Sequence, residues 1–295
     1  MNNKEVTVII PHYNRLDTIG RALNSVLLNY EFVYQTIIVD DNSEPDIKNA
    51  LYSICKSKKY EEINITIIEN ESNLNAAYSR NVGIDNTESK YIAFLDSDDE
   101  WEAGKLGLQI ESLVDCDIIY SQISVVNTGK VVGVFPKKPF SGNVARYLLE
   151  DNGHIQTSTM FMLTETAKKV KFDSSLKKYQ DWNFAIKLSA EGYKFKLVKE
   201  PLVNYYVDAN NRIGNNMSER LLTEFVSSIE QFVEPKVLKR FKAYTELYIM
   251  IQNKHLLKAA INLLDLSKIL IIGFRKYLQI VGYYIKSVGV TILKR

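Results

Sequence analysis

Two aspartate doublets, Asp40-Asp41 and Asp98-Asp99, each follow a short apolar run, and this limits what the chain can fold into. The runs are Thr36-Ile37-Ile38-Val39 and Tyr91-Ile92-Ala93-Phe94-Leu95, which read as strands buried on both faces. Asp96 leads the second cluster. Carboxylates gathered at strand ends repel one another, so a cation or strong hydrogen-bond donors must compensate them. Hard oxygen ligands of this kind suit Mg²⁺ or Mn²⁺ with a bound phosphate. The pattern points to a metal-dependent enzyme acting on a nucleotide-activated substrate.

The first half alternates strand and helix signals. Val6-Thr7-Val8-Ile9-Ile10 predicts a strand broken by Pro11, followed by a helix from an Asp17 cap with Ile19, Ala22, Leu23, Val26 and Leu27 on one face. A second strand ends at Asp40, and Ile47, Ala50, Leu51, Ile54 and Cys55 repeat the helical stripe. A third strand covers 65–68, a short helix 75–82 ends at Gly83, and a further helix covers 103–114. This alternation predicts an α/β fold, a doubly wound, mostly parallel sheet flanked by helices. In such sheets ligands bind at the C-terminal strand edge, where residues 11–14, 40–43 and 96–99 would meet. Later, 117–126 and 130–135 predict strands joined through Asn127-Thr128-Gly129. Residues 159–163 predict another strand, 181–191 a helix closed by Gly192, and 194–207 an extended segment. From Ser218 onward the pattern is helical.

The net charge of +2 implies no nucleic-acid partner. Cys55 and Cys116 are far apart, lack metal-ligand spacing and suit small core residues in a reducing compartment. No secretory leader is expected, and no apolar run reaches the roughly 18 residues of a spanning helix. A cytoplasmic protein is therefore expected.

Five segments carry a resemblance: Val8-Ile9-Ile10-Pro11-His12-Tyr13-Asn14-Arg15, Val39-Asp40-Asp41-Asn42-Ser43, residues 73–83 (NLNAAYSRNVG), Phe94-Leu95-Asp96-Ser97-Asp98-Asp99, and Gln180-Asp181-Trp182. In this order and at these intervals they resemble the family 2 glycosyltransferases, inverting enzymes of the GT-A fold, over about residues 6–212. The resemblance implies a catalytic domain over 1–215, with a nucleotide-binding half (1–115) and an acceptor-binding half (116–215). A helical C-terminal region (216–295) follows it.

The resemblance also assigns roles. Tyr13 offers its ring to a pyrimidine base, Pro11 ends the strand beneath it, and Asp41 accepts from a base N–H such as uracil N3. Asp98 is the first choice for Mn²⁺ or Mg²⁺, with Asp96 assisting through the ribose or a metal-bound water and Asp99 taking either part. Arg80 shares a helix face with Ala76 and Ala77, either reaching the donor diphosphate or forming a structural ion pair with the acidic cluster. Asp181 is the general base that deprotonates the acceptor hydroxyl, and its place at a helix start favours the carboxylate or makes it a cap. Gln180 and Trp182 fall to the acceptor side, Trp182 as a wall or as core. Family members often carry a histidine near 207–212, where this chain has Asp208 and Arg212 instead. His12 and His154 lie near expected loops without an evident partner.

These roles imply transfer of a hexose (galactose or glucose) from a UDP-sugar to a lipid-linked saccharide such as GlcNAc-diphospho-undecaprenol. The bond would be β, in surface polysaccharide or O-antigen synthesis. A sugar nucleotidyltransferase is disfavoured because Pro11-His12-Tyr13-Asn14 supplies no glycine-rich, cationic triphosphate loop; a non-catalytic scaffold would lack Asp98 or Asp181. Residues 247–295 hold eight Lys/Arg against one acid, Asp265, among Leu, Ile and Tyr. Such helices suit an anionic membrane surface, which would make the enzyme peripheral on the cytoplasmic face of the inner membrane. A bundle on the catalytic domain or a homodimer stays open.

Overall fold

The computed structural model describes residues 4–207, 218–265, 269 and 271–292. They form two compact units, Met1–Leu148 with Asn152–Arg212 and Leu149–Asp151 with Ile213–Arg295.

The first unit is built on nine strands: β1 (Val6–His12), β2 (Val33–Asp40), β3 (Ile65–Glu69), β4 (Tyr91–Phe94), β5 (Glu100–Trp101), β6 (Ile118–Asn127), β7 (Lys130–Phe135), β8 (Phe161–Leu163) and β9 (Phe195–Tyr206). They pair in the order β3-β2-β1-β4-β8-β6-β9-β5, with β7 on β6. The first four are parallel, and β6 and β9 are parallel to each other. The ladders of β4 and β6 with β8, of β5 with β9 and of β6 with β7 are antiparallel.

Pro11 does not break β1, contrary to expectation. It pairs with Val39, and His12 pairs with Asp40. The Ile9 carbonyl accepts from the Leu95 amide, beyond which β4 has ended. Facing sides alternate along a strand, so Pro11 points its missing N–H to that vacant side and no ladder bond is lost.

The helices of this unit are α1 (Leu16–Leu27), α2 (Pro45–Cys55), α3 (Ala76–Asp85), α4 (Lys105–Ser112), α5 (Val144–Leu149), α6 (Thr164–Val170) and α7 (Gln180–Ala190). α1 buries Ile19, Ala22, Leu23 and Val26. Its cap is Arg15, and Asp17 lies in the first turn, where its charge suits the helix dipole. α3 runs through Gly83 instead of stopping there: a Cβ at Gly83 would lie 2.6 Å from Ile9 Cγ2, so the residue allows the helix close to the sheet. α4 is shorter than expected because Gly104, at φ +77°, precedes its first turn and Leu113 leaves the helical conformation at its end; Glu100 and Trp101 pair with β9. The expected strand at 159–163 begins at Phe161, after a 3-10 turn at Thr157–Thr159.

The main core combines the inner faces of β1, β2, β4 and β6 with α1. Cys55 and Cys116 are free thiols, half-buried at its margin. A second aromatic group places α7: Phe172 stacks on Phe184 of α7 with ring centres 4.1 Å apart, and Phe94 of β4 meets Phe172 edge-on at 5.3 Å.

The second unit contains α8 (Glu219–Ile229), α9 (Pro235–Gln252), α10 (Leu256–Leu264) and α11 (Phe274–Ile292). Ser218 caps α8 by accepting from the Leu221 amide. α9, α10 and α11 share a core of Ala243, Leu247, Ile251, Ala259, Leu263, Ile272 and Ile280.

Candidate active site

The C-terminal ends of β2 and β4 carry Asp40 and Asp41 and the acids of 96–99, and hydrogen bonds fix each differently. Asp40 is fully buried. Its Oδ1 lies 2.8 Å from His12 Nδ1 and accepts from Ser43 Oγ at 2.6 Å; its Oδ2 accepts from the Ser43 amide at 2.9 Å. Burial acts to raise its pKa, but the bonds from His12 and Ser43 prevail and hold it below the ordinary aspartate value. Asp40 thus fastens the loop after β2 to the end of β1. Asn14, at φ +49°, adds to this by donating to Ser43 Oγ and accepting from the Glu44 amide.

Asp41 folds the 73–75 segment. Its Oδ1 accepts from Asn70 Nδ2 at 2.8 Å and from the Leu74 amide at 2.9 Å, and Oδ2 accepts from the Asn75 amide at 2.8 Å. A carboxylate offers about four acceptor directions, so one on Oδ2 remains for a base N–H. Asn75 in turn holds φ +79° and ψ 165°, a conformation costly for any residue but glycine. Its side-chain oxygen accepts from the amides of Ala77 and Tyr78, capping α3, and from Gln180 Nε2 at 3.3 Å.

α3 delivers Arg80 to the acidic loop. Arg80 Nη2 pairs with Asp96 Oδ1 at 2.5 Å, and Nη1 donates to Gln180 Oε1 at 3.0 Å. Of the two roles open to Arg80, the ion pair with the acidic cluster is the one formed. Gln180 is accordingly a bridge between α3 and α7.

The three acids after β4 differ in exposure. Asp98 is the most open, its side chain 38% exposed, and its Oδ2 pairs with Arg15 Nη1 while its carbonyl accepts from Arg21 Nη2 at 2.6 Å. Burial and the Asp96 charge raise its pKa against the pull of Arg15. Asp99 is set back and 1% exposed; Oδ2 accepts from Ser158 Oγ at 2.5 Å and from Gln156 Nε2 at 3.0 Å. Ser158 Oγ also accepts from the Asp96 amide, so one hydroxyl ties both ends of the loop to the turn before β8. Burial, then the charges of Asp98 and Asp96, push the Asp99 pKa well up. Of the two expected metal ligands only Asp98 therefore reaches open space; Asp99 anchors the loop.

Asp181 occupies the first turn of α7, with Tyr179 in the cap position in place of the expected aspartate. Its Oδ1 accepts from the Trp182 amide at 2.9 Å. Loss of water around it raises its pKa to about 6, against that bond and the Arg80 charge. Burial, and then the charges of Asp99, Asp98, Asp96 and Asp181, push the Tyr205 hydroxyl on β9 to about 12.

Among the described residues no three of His, Cys, Asp and Glu gather into a closed metal cage. Asp98 and Asp96 nonetheless fit a hard divalent cation: both are oxygen donors on one loop, each with a carboxylate oxygen beyond the one that Arg15 or Arg80 holds. Mg²⁺ and Mn²⁺ commonly take one or two carboxylates, with waters and phosphate completing the shell.

Residues 7–170 match glycosyl transferase family 2. The chain belongs to this family. AmsB of Erwinia amylovora, an amylovoran biosynthesis glycosyltransferase, is 33% identical over 216 residues, 70% of this chain and 71% of its own. WfgD of Escherichia coli, a UDP-Glc:α-D-GlcNAc-diphosphoundecaprenol β-1,3-glucosyltransferase, is 31% identical over 46% of this chain and 52% of its own. Among solved structures, residues 1–349 of S. aureus TarS with UDP-GlcNAc superpose with a TM-score of 0.64 at 18% identity, covering 96% of this chain and 81% of that one. A Pyrobaculum calidifontis mannosyltransferase with GDP-Man and Mn²⁺ gives 0.60 at 17%, covering 99% and 88%. The fold is that of GT-A glycosyltransferases.

Within this family 2 site, hydrogen bonds link Asp41, Asn75, Gln180, Arg80 and Asp96 in one series, while Asp98 is held by Arg15 and Arg21 and Asp181 follows Gln180 in the chain. Tyr13 stands at its rim, 48% exposed, and Pro11 is buried below it. Trp182 is half-buried and leans on Tyr179 with ring centres 5.0 Å apart. His12 is taken up by Asp40, and burial lowers the His154 pKa to about 4. Asp208 and Arg212 lie outside the described residues. Asn70, Asn75, Arg15 and Tyr205 had no assigned role, whereas Gln156 and Ser158 lie in 153–158, a stretch expected to supply acceptor-pocket side chains, and here hold Asp99. Asn75 and Arg15 stand inside the quoted motifs, whereas nothing local marks Tyr205.

Proposed function

We propose that this chain is an inverting hexosyltransferase. It moves galactose or glucose from a UDP-sugar to a hydroxyl of a lipid-linked saccharide, such as GlcNAc-diphospho-undecaprenol, in a β-bond during surface polysaccharide synthesis. The names of AmsB and WfgD support the polysaccharide and the acceptor class. The observation that carries the reading is the placement of Asp181: it follows Gln180, which Arg80 ties to Asp96, and loss of water there raises its pKa to about 6.

In this reading the uracil stacks on Tyr13 and donates to the remaining direction on Asp41 Oδ2. Asp98, with Asp96, would hold Mn²⁺ or Mg²⁺, which neutralises charge on the departing nucleotide. Asp181 accepts the proton of the acceptor hydroxyl as its oxygen attacks the anomeric carbon opposite the leaving group. A base with a pKa near 6 is ionised at neutral pH and still basic enough to take a proton. Trp182 walls the acceptor sugar, and the enzyme works at the cytoplasmic face of the inner membrane.

The deciding experiment measures UDP or GDP release from a panel of nucleotide sugars with Mn²⁺ and a synthetic GlcNAc-diphospholipid, with NMR of the product linkage. Release from UDP-glucose or UDP-galactose with a β-linked product is expected. An α-linked product, or release from GDP-sugars alone, refutes the assignment.

A further inference from the structure

The second unit carries an apolar face that its own helix packing leaves in water. α10 turns Ala259 and Leu263 inward beside Ile280 of α11, and the Tyr277 hydroxyl donates to the Leu263 carbonyl. The other side of α10 presents Leu257, Ile261 and Leu264, spaced i, i+4, i+7 and 77%, 63% and 81% exposed. On α11, Phe274, Leu278 and Ile285, spaced i, i+4, i+11, are 67%, 51% and 62% exposed. A surface helix ordinarily sets charged or polar side chains opposite its buried stripe. Here each helix has an apolar stripe on both sides.

We propose that these exposed stripes dock on an anionic lipid bilayer, their apolar side chains entering the acyl boundary and nearby lysines meeting the lipid phosphates. The argument for lipid is charge. Lys254, Lys258 and Lys286 are exposed beside the stripes, and residues 247–295 hold eight basic residues against Asp265 alone. A second copy would bring like charges together, whereas an anionic surface complements them. Among the described residues no helix is long and apolar enough to cross a membrane, so these helices lie in the headgroup plane. Lysine stems are long enough to keep their ammonium groups among headgroups while neighbouring side chains go deeper. The inference stands independently of donor and acceptor identity.

Flotation of the purified full-length chain with phosphatidylcholine vesicles, with and without phosphatidylglycerol, decides it. The chain is expected to float with the anionic vesicles and to bind about tenfold less without phosphatidylglycerol or in 1 M salt. Leu257→Glu, Ile261→Glu and Leu264→Glu together are expected to lower binding at least about tenfold. These side chains are exposed, so the variant should retain wild-type melting and UDP binding; replacement by serine gives a second, uncharged version. The proposal is overturned if wild type stays at the bottom of the gradient with anionic vesicles, or if both triple variants float as wild type does. A chain that is dimeric, dissociates on triple substitution and ignores vesicles also overturns it, in favour of a second copy on this face.

Discussion

Asp181 combines a helix N-terminal turn with a pKa of about 6, because lost hydration outweighs the Trp182 amide and the Arg80 charge. An ordinary aspartate titrates near 3.8. Between about pH 4 and 6 the unfolded chain has released a proton that the folded chain retains, so stability falls as pH rises through that window. The loss is on the order of 1–3 kcal/mol and persists at neutral pH. Asp181→Asn should therefore be more stable than wild type above pH 6 by that amount, with the two curves meeting below pH 4. Urea denaturation across pH measures this, and the same variant should bind UDP-sugar but lose transfer. Wild-type transfer should rise with pH through about 6 and then level. Arg15 offers a second residue-scale test, since its guanidinium occupies an Asp98 oxygen. A cation binding there must displace it, so Arg15→Ala should tighten Mn²⁺ several-fold, about 1 kcal/mol, in a competition titration followed by electron paramagnetic resonance.

Gly83 shows how an element is placed by one missing carbon. A methyl group there would press on Ile9, fully buried at the sheet centre and branched at Cβ. Gly83→Ala should cost about 1–3 kcal/mol in urea denaturation despite alanine's better helix propensity. It should also weaken UDP-sugar binding, because α3 carries Arg80 and begins at Asn75, which Asp41 holds. Most elements were legible from periodicity: the buried face of α1, the strand reaching Asp40 and the hairpin at 127–130 follow from spacing alone. The misread boundaries have a common cause. Pro11 and Gly83 are local breakers tolerated because a neighbour has ended or a close approach is needed, and no window around them shows that. Glu100 and Trp101, just after the acidic cluster, form a short strand that pairs about a hundred residues later, which no local window shows.

At the level of the whole molecule, ligand linkage separates the two units. The proposed donor and metal sites fall within the first, so the UDP–Mn²⁺ complex, taken as one ligand at one hundred times its dissociation constant, should stabilise that unit by about 2.7 kcal/mol. Hydrogen exchange should show the added protection on β1, β2 and α3. Asp98→Asn should remove the part due to Mn²⁺ while leaving the UDP part. The order of strands and helices, the identity of the acids and the basic, apolar character of the C-terminal helices could all be read from the chain alone. Backbone conformation and facing follow from neighbours a few residues apart. Only the tertiary structure decided that Asp99 anchors while Asp98 opens outward, that Arg80 neutralises Asp96, and that Asp181 is driven to a pKa near 6. Those outcomes depend on partners such as Ser158 with Asp99 and Gln180 with Arg80, 59 and 100 residues apart, and on how much water the assembled walls exclude. Neither long-range partner choice nor desolvation has a local signature in the chain.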